Sequence, residues 1–292
     1  MTSKTVAFIG VGNMGAPMAR RVKKSGFHLV VCDRNPAVLR EFETTGAVVA
    51  TTAKDCGNAD VIVLLLGNDE QLVDVTVGSE GIVHGIPDGH HPVVCVMGTT
   101  LPDTLRKIQS PLIGAGAHLI DAPISGGIPG AEDGTLTIML GGEQADIDTV
   151  EPVMKAMGTN LFRCGDLGSA EVVKVVNNML SIATMFLTAE AIDLMEKNGA
   201  KFEQTAPILN VSTGRNFLTV DVPECRRQYG SWARTESAFT ALLNVVRKDL
   251  RLARELASSS GLHLGLLDEV SKYLDSTDDS VMDRWMRHGR RR

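Results

Sequence analysis

The sequence predicts a doubly wound α/β domain followed by an all-helical domain. Short apolar runs alternate with helical patterns over the first half of the chain. Strand signals largely vanish after Cys164, where residues 168–197 are typical of one long helix. No repeat or low-complexity linker separates the two regions. A chain of 292 residues suffices for two domains, which we place at 1–165 and 166–292.

The predicted strands are continuous apolar runs, as expected of parallel strands covered on both faces. They are TVAFIG (5–10), HLVVCD (28–33), DVIVLLLG (60–67), VVCVMG (93–98), HLIDAP (118–123), TLTIMLGG (135–142) and NLFRCG (160–165). Segments with helical spacing and a glycine near their end lie at 14–26, 36–46 and 102–116. This alternation predicts a doubly wound sheet.

The long predicted helix links the two domains and spans roughly 45 Å at 1.5 Å per residue. It is apolar almost all round, so it must be buried on most sides. The residues that follow it offer limited cover. A second subunit is therefore expected to supply the rest, as in a homodimer or homotetramer.

Composition narrows the classes of partner. The net charge of −6 gives no reason to expect a nucleic acid or an anionic membrane, and the basic stretch 287–292 is expected to be a frayed, solvated tail. The five cysteines form no C-x-x-C pair, which indicates free thiols in a reducing, cytoplasmic setting. No metal-ligand spacing is present. The first apolar stretch, 6–9, is too short for a signal or an anchor.

The motif FIGVGNMGAPMA holds Gly10, Gly12 and Gly15 between a predicted strand and a helix. The first glycine allows a tight turn and the second lets the backbone approach a pyrophosphate. The third permits close helix–strand packing, and the helix N-terminus offers amides to the anion. Asn13 and Met14 lie inside the turn. A plain glycine turn is the alternative, but the strand–turn–helix context favours a dinucleotide site.

Asp33 ends the second strand, about 20 residues after this motif, where an acidic residue accepts a hydrogen bond from the adenosine ribose. This Rossmann-like arrangement favours NAD. Arg34 beside it is able to hold a 2′-phosphate, so NADP stays open. A simple turn cluster over 33–36 is the structural alternative.

Two further motifs carry candidate substrate residues. Ser125, Gly126 and Gly127 follow a strand, and consecutive glycine amides can form a concavity for a carboxylate; a wide surface loop is the alternative. On the long helix, Lys174 and Asn178 are four residues apart and share a face, with Asn177 beside them. A lysine extending to the wet edge of the helix is the alternative there.

The segments FIGVGNMGAPMA, DAPISGGIPGAEDGTLTIMLGG, GDLGSAEVVKVVNN and KDLRLA look like four signatures of the β-hydroxyacid dehydrogenase family, in order. The resemblance covers essentially the whole chain. It implies a Rossmann-like domain, an all-helical domain and a long interdomain helix. It also implies hydride transfer between NAD(P) and the 3-hydroxyl carbon of a small β-hydroxy acid.

Carried over by position, the resemblance makes Lys174 the catalytic lysine and Asn178 its partner. It gives the substrate carboxylate to Ser125, Gly126 and Gly127. Thr99 and Lys248 would line the nicotinamide side and the cofactor cleft, with Asp249 following Lys248. An ordinary lysine amine, with a pKa of about 10.4, is protonated at neutral pH. Burial among Val173, Val176 and Met179 would favour the neutral amine that a general base requires.

The sequence departs from the family pattern at two places that bear on the substrate. Val96-Met97-Gly98-Thr99 stands where an Asp-x-Ser-Thr run is common, and Ala241 stands where a Phe is frequent, the nearest being Phe239. The acid therefore stays open among 3-hydroxyisobutyrate, 3-hydroxypropionate, glycerate with tartronate semialdehyde, threonate and serine. Alternatives are an imine reductase, which often lacks the lysine, a non-catalytic dinucleotide-binding scaffold, and a decarboxylating sugar-acid dehydrogenase.

Overall fold

The structure is a computed structural model that describes residues 4–290. The chain divides into two compact units, Met1–Lys174 and Val175–Arg292. The first is α/β and the second is all-helical, which confirms the predicted fold class. The division between the units falls inside the long helix, whereas the domain boundary was predicted at its start, after residue 165.

The first unit contains a nine-stranded sheet. Its strands are β1 (Thr5–Ile9), β2 (His28–Cys32), β3 (Val48–Val49), β4 (Val61–Leu64), β5 (Val93–Val96), β6 (His118–Asp121), β7 (Ile124–Ser125), β8 (Leu136–Gly141) and β9 (Gly158–Gly165). All seven predicted strands are present. The two that were missed, β3 and β7, are each only two residues long.

The strands are arranged in the order β3-β2-β1-β4-β5-β6-β8-β7, with β9 on β8. The six strands from β3 to β6 are parallel. β8 runs antiparallel to β6 and β7, so the later part of the sheet is mixed. The chain crosses from one side of β1 to the other between β3 and β4. Ligands of open α/β sheets bind at such a switch point, outside the carboxyl ends of the strands.

Helices cover both faces of this sheet: α1 (Gly15–Lys24), α2 (Pro36–Glu43), α3 (Asp69–Val77), α4 (Pro102–Gly114), α5 (Gly127–Asp133) and α6 (Gln144–Met157). Alternate side chains of β1 enter different cores. Val6 and Phe8 pack in one cluster with α1 and α6, and Ala7 and Ile9 pack in the other with α3 and α4. Because both faces are buried, each strand reads as a continuous apolar run.

The long helix α7 (Ser169–Lys197) begins one residue after the predicted start. One side is buried, and the opposite side leaves a row of large apolar side chains exposed: Val173, Val176, Leu180, Leu187 and Leu194. The chain alone therefore covers only part of α7. By length and apolar composition α7 could cross a membrane, but the core helix of a soluble protein passes the same test.

The second unit continues with α8 (Phe202–Asn210), α9 (Val222–Trp232), α10 (Glu236–Ser259), α11 (Gly265–Asp275) and α12 (Asp279–Arg290). Trp285 is fully buried and packs against Phe186, Tyr229 and Phe239. The prediction of a frayed tail from residue 287 is wrong as far as Arg290, because α12 continues to that residue and His288 is 2% exposed. The last two residues of that stretch lie outside the described part of the chain.

Candidate active site

The turn between β1 and α1 requires glycine at two of its three glycine positions. Gly10 has a φ of +95°, and a Cβ on it would lie 2.2 Å from the carbonyl oxygen of Leu65. A Cβ on Gly15 would lie 2.0 Å from the carbonyl oxygen of Gly10. Both glycines are therefore required by the packing of the chain itself.

Gly12 differs, because a Cβ at this position would meet no heavy atom within 4 Å. The residue is exposed, as is Asn13 beside it, and Met14 is half-buried. Nothing in the described chain explains the absence of a side chain here. A pyrophosphate that must approach the backbone does explain it, because the second glycine of this motif gives access to that group. The residues of the turn thus fit a dinucleotide.

Asp33 stands just beyond β2 and holds this turn in place. Its Oδ2 accepts a hydrogen bond from the amide of Val11 at 2.8 Å, and its Oδ1 accepts one from the amide of Asn35 at 2.8 Å. Each carboxylate oxygen keeps a second lone pair, so a ribose hydroxyl could still donate to Asp33. Arg34 is exposed and forms an ion pair with Asp74.

Thr99 follows β5 at the carboxyl edge of the sheet and is half-buried. It borders a small cavity that Leu66 and Asn68 also line. The next residue, Thr100, is buried, and its amide donates to the Oε2 of Glu171 at 3.1 Å. The turn that holds Thr99 is therefore attached to the first turn of α7.

The glycine-rich segment after β6 is more ordered than a surface loop. Ser125 ends the short strand β7, and Gly127 begins α5. Gly126 and Gly127 have φ values of +132° and +62°, a region that favours glycine. The alternative of a wide loop is therefore wrong, and the predicted carboxylate-binding residues occupy a tight strand-to-helix turn.

Lys174 is half-buried in the second turn of α7. Its Nζ donates a hydrogen bond to the carbonyl oxygen of Ile124 at 2.5 Å, and Ile124 is the residue directly before Ser125. The valines expected to bury this amine do not do so, since Val173 and Val176 are each 44% exposed. The physical reason is helical geometry: neighbours one and two positions away do not share a face with Lys174.

The second unit brings Asn177, Asn178 and Lys248 together through Asp249. The Nδ2 of Asn178 donates to the Oδ2 of Asp249 at 2.7 Å, and the Nζ of Lys248 lies 3.0 Å from its Oδ1. The Nδ2 of Asn177 donates to the Oδ1 of Asn178 at 3.2 Å. Asp249 was noted from the sequence only as the residue after Lys248. Its partner Asn178 lies 71 positions away in the chain, so neighbouring residues gave no signal of this contact.

Two other buried carboxylates, Asp121 and Glu171, were missed from the sequence. Asp121 ends β6 and accepts hydrogen bonds from the amides of Gly168 at 2.8 Å and Glu171 at 2.9 Å. Burial raises the pKa of the Asp121 carboxyl, and the two amide hydrogen bonds oppose that shift. For Asp121, an acid directly after the buried apolar residues Leu119 and Ile120 was the available signal.

One group of side chains in the described range has the ligand types and spacing to hold a metal ion: Asp193, Glu196 and His288. Arg284 and Arg287 both form ion pairs with Asp193. These guanidinium groups already compensate the carboxylate, so the geometry gives no support to a cation there.

The parallel sheet, its switch point and the glycine turn define a dinucleotide-binding protein with a helical second unit. A family model described as the NAD binding domain of 6-phosphogluconate dehydrogenase matches residues 5–165. A second, described as NAD-binding of NADP-dependent 3-hydroxyisobutyrate dehydrogenase, matches residues 168–285. The chain belongs to the β-hydroxyacid dehydrogenase family and is an NAD(P)-dependent dehydrogenase.

Individual relatives agree with this assignment. The chain is 35% identical to an NAD-dependent L-serine dehydrogenase of Pseudomonas aeruginosa, over 88% of this chain and 86% of the relative. It is 34% identical to the mitochondrial 3-hydroxyisobutyrate dehydrogenase of Mus musculus, over 89% of this chain and 78% of the relative. A 3-hydroxyisobutyrate dehydrogenase from Salmonella typhimurium shares the fold, with a TM-score of 0.79, 24% identity and coverage of 96% and 99%. An imine reductase from Myxococcus stipitatus is more distant, with a TM-score of 0.62 and 18% identity. That match covers 98% of this chain and 100% of the imine reductase.

Proposed function

We propose that the protein transfers a hydride between NAD(P) and the 3-hydroxyl carbon of a small β-hydroxy acid, with Lys174 as general acid and base. The observation that carries this proposal is the hydrogen bond from the Nζ of Lys174 to the carbonyl oxygen of Ile124. It sets a proton-carrying group one residue from the turn proposed to bind the substrate carboxylate. In the oxidation, the Lys174 amine would accept the hydroxyl proton, and a bound NAD(P) would supply the acceptor for the hydride that leaves carbon 3. In the reduction, the ammonium returns that proton.

The carboxylate of the substrate is proposed to bind at Ser125, Gly126 and Gly127. The Ser125 hydroxyl and the two glycine amides are donors on a backbone whose positive φ values suit an anion-binding concavity. An anion bound there would bring the third carbon of a β-hydroxy acid towards the Lys174 side of the turn.

Asn178 is proposed to orient the reacting oxygen. It follows Lys174 by one helical turn on the same continuous helix. Its amide nitrogen is held by Asp249, and this contact fixes the orientation of the amide. Asn177 and Lys248 extend the same polar group, and Lys248 is proposed to contact the cofactor.

NAD is the proposed preferred cofactor. Asp33 stands where a ribose hydroxyl would donate to it, and a 2′-phosphate at that place would be repelled by its charge. Arg34 is engaged by Asp74, but both side chains are largely exposed. Such a surface pair is weak, so NADP would bind with lower affinity rather than be excluded.

L-Serine and 3-hydroxyisobutyrate are the first candidate substrates, because they appear in the names of the two relatives. The test is a screen of these two acids, 3-hydroxypropionate, glycerate and threonate with NAD and with NADP, measuring absorbance of the reduced nicotinamide. We expect turnover with at least one acid and a preference for NAD. Reduction of a cyclic imine without oxidation of any of these acids would favour the imine reductase. Cofactor binding without any turnover would favour the scaffold.

A homo-oligomer is proposed from the exposed apolar row of α7. Val173, Leu180, Leu187 and Leu194 recur every seven residues, the spacing of a helix–helix seam. A second copy of the chain would cover this row. The cytoplasmic location stays a prediction that rests on the cysteines, all five of which are free thiols.

A further inference from the structure

The segment that leaves β6 is fixed at two points to the beginning of α7. Asp121 is fully buried, and its two oxygens accept the amides of Gly168 and Glu171. Three residues later, the carbonyl oxygen of Ile124 accepts from Lys174. Residues 121–124 therefore run beside residues 168–174 and are hydrogen-bonded to them near both ends.

Two glycines make room for this arrangement. A Cβ on Gly141, which pairs with Asp121 across β6 and β8, would lie 2.4 Å from the Oδ1 of Asp121. Gly168 has a φ of +93°, a conformation that presents its amide to Asp121 and that other residues rarely adopt. The carboxylate of Asp121 thus explains Gly141, and the positive φ explains Gly168. The two glycines belong to different motifs of the sequence.

Glu171 extends the connection to the turn that holds Thr99. Its side chain is fully buried, and its Oε2 accepts the amide of Thr100 at 3.1 Å. The hydroxyl groups of Thr100 and Thr104 donate to Asp69 at 2.7 and 2.5 Å, which fixes the same turn from its other side. The first two turns of α7 are therefore bonded to both the Ser125 turn and the Thr99 turn.

Capping the start of a helix does not require buried carboxylates such as those of Asp121 and Glu171. A serine, threonine or asparagine side chain caps a helix N-terminus at the surface, whereas a buried carboxylate carries a desolvation cost. Burial raises the pKa of Asp121, which is the expected sign of that cost. One buried carboxylate at the end of β6 and another in the first turn of α7 both fix the start of the same helix, which indicates a requirement for position in addition to stability.

We propose that Asp121 and Glu171 are positioning residues, which hold Lys174 at a fixed place relative to the Ser125 turn and the Thr99 turn. This inference rests on the proposed role of Lys174. A general base must stay within hydrogen-bond reach of the proton that it accepts, and a misplacement of about 1 Å can cost about 100-fold in rate. Asp121 sets the start of the helix, and Glu171 sets its distance from the turn that holds Thr99.

Asp121→Asn tests the first contact. Asparagine has the same shape but offers one acceptor oxygen and one amino group, so one of the two backbone amides would face a donor. We expect kcat for L-serine or 3-hydroxyisobutyrate to fall about 10- to 100-fold. The KM for NAD and the affinity for NADH, followed by its fluorescence, should stay within about threefold of wild type. That separation is not expected from a purely structural residue.

Glu171→Gln and Glu171→Met test the second contact as a matched pair. Glutamine keeps an acceptor for the amide of Thr100, so we expect kcat within about threefold of wild type. Methionine is similar in length but offers no comparable acceptor, so kcat should fall about 10-fold or more. Recovery by glutamine would show that the hydrogen bond, rather than the volume of the side chain, sets the rate.

Thr235→Ala is the control for helix capping alone. Thr235 caps α10 by accepting the amide of Ala238, and its loss should lower the melting temperature without lowering kcat per folded protein. If Asp121→Asn and Glu171→Met also change only the melting temperature, the positioning role is wrong. If Lys174→Ala itself leaves kcat unchanged, the proposed function fails first, which separates the two results.

Discussion

The three glycines of the β1–α1 turn illustrate how one residue type meets different demands. Gly10 and Gly15 are required by close approaches within the chain, whereas Gly12 faces open space. A substitution at Gly12 therefore separates cofactor binding from folding. The motif predicts separate roles for the three glycines, and the close approaches at Gly10 and Gly15 agree with the roles predicted for the first and the third.

We predict that Gly12→Ala folds as stably as wild type but binds NADH at least about 10-fold more weakly, because its methyl group would occupy the approach of the pyrophosphate. NADH fluorescence titration and thermal unfolding measure the two effects. Gly15→Ala is the matched comparison and should lower the melting temperature, since its Cβ would clash with the carbonyl of Gly10. Undiminished NADH binding by Gly12→Ala would argue against a dinucleotide at this turn.

Asp33 has both a structural and a proposed recognition role. Its carboxylate accepts the amide of Val11 within the glycine turn, so Asp33→Ala should raise the KM of both cofactors. We predict a larger rise in KM for NAD than for NADP. NAD loses the hydrogen bond from its ribose to Asp33, whereas NADP is freed from the repulsion between Asp33 and its 2′-phosphate. Steady-state kinetics with each cofactor measure the ratio, and equal losses would remove Asp33 as the discriminating residue.

The polar residues of α7 follow the same helical period as its buried residues. Lys174 and Asn178 continue, in steps of three or four, into the buried residues Ile182, Met185, Ala189 and Ile192. The lysine and asparagine are therefore the first two members of the inward-facing row. This periodicity distinguishes them from a side chain that extends to the wet edge of the helix.

The exposed row on the other side of α7 predicts the assembly. We expect the wild-type chain to be a dimer or larger by light scattering, and Leu180→Glu with Leu187→Glu to shift it towards the monomer, because two charges would enter an apolar seam. Leu266→Glu is the control, since Leu266 is exposed on α11, outside this row. A monomeric wild type, or dissociation caused only by Leu266→Glu, would contradict the proposal.

The elements most easily predicted were those with a signal in neighbouring residues. The seven longer strands and α7 show continuous runs or helical periods, whereas β3 and β7 are two residues long and are defined by their pairing with β2 and β8. Asp121 and Glu171 were missed for a related reason. Their partners lie 47, 50 and 71 positions away in the chain, and a single sequence does not show which distant residues meet.

At the scale of the whole molecule, stability depends on the C-terminal helix α12. Trp285 fills the aromatic core of the second unit, and His288 is buried against Ala189 and Tyr229. Burial lowers the pKa of His288, while Asp193 and the carbonyl of Ala189 act against that shift. A stretch that reads as a basic tail in the sequence is thus part of a folded core.

This histidine predicts a pH dependence of stability. Below its ordinary pKa of about 6.5, the unfolded chain binds a proton that folded His288 resists, so stability is lost as the pH falls through that range. Thermal unfolding at pH 7.5 and pH 5.5 should show a smaller drop for His288→Gln than for wild type. His263→Gln is the control, because the His263 side chain is 88% exposed. Identical pH slopes for wild type and His288→Gln would contradict this origin.

The amine of Lys174 is proposed to move the proton during hydride transfer. The most direct test is single-turnover oxidation of L-serine or 3-hydroxyisobutyrate, whichever the wild type turns over, by Lys174→Ala at saturating NAD. We predict a rate about 100- to 10,000-fold below wild type, the usual contribution of a general acid or base, with NADH affinity nearly unchanged. A rate within about threefold of wild type would exclude Lys174 as the general acid and base.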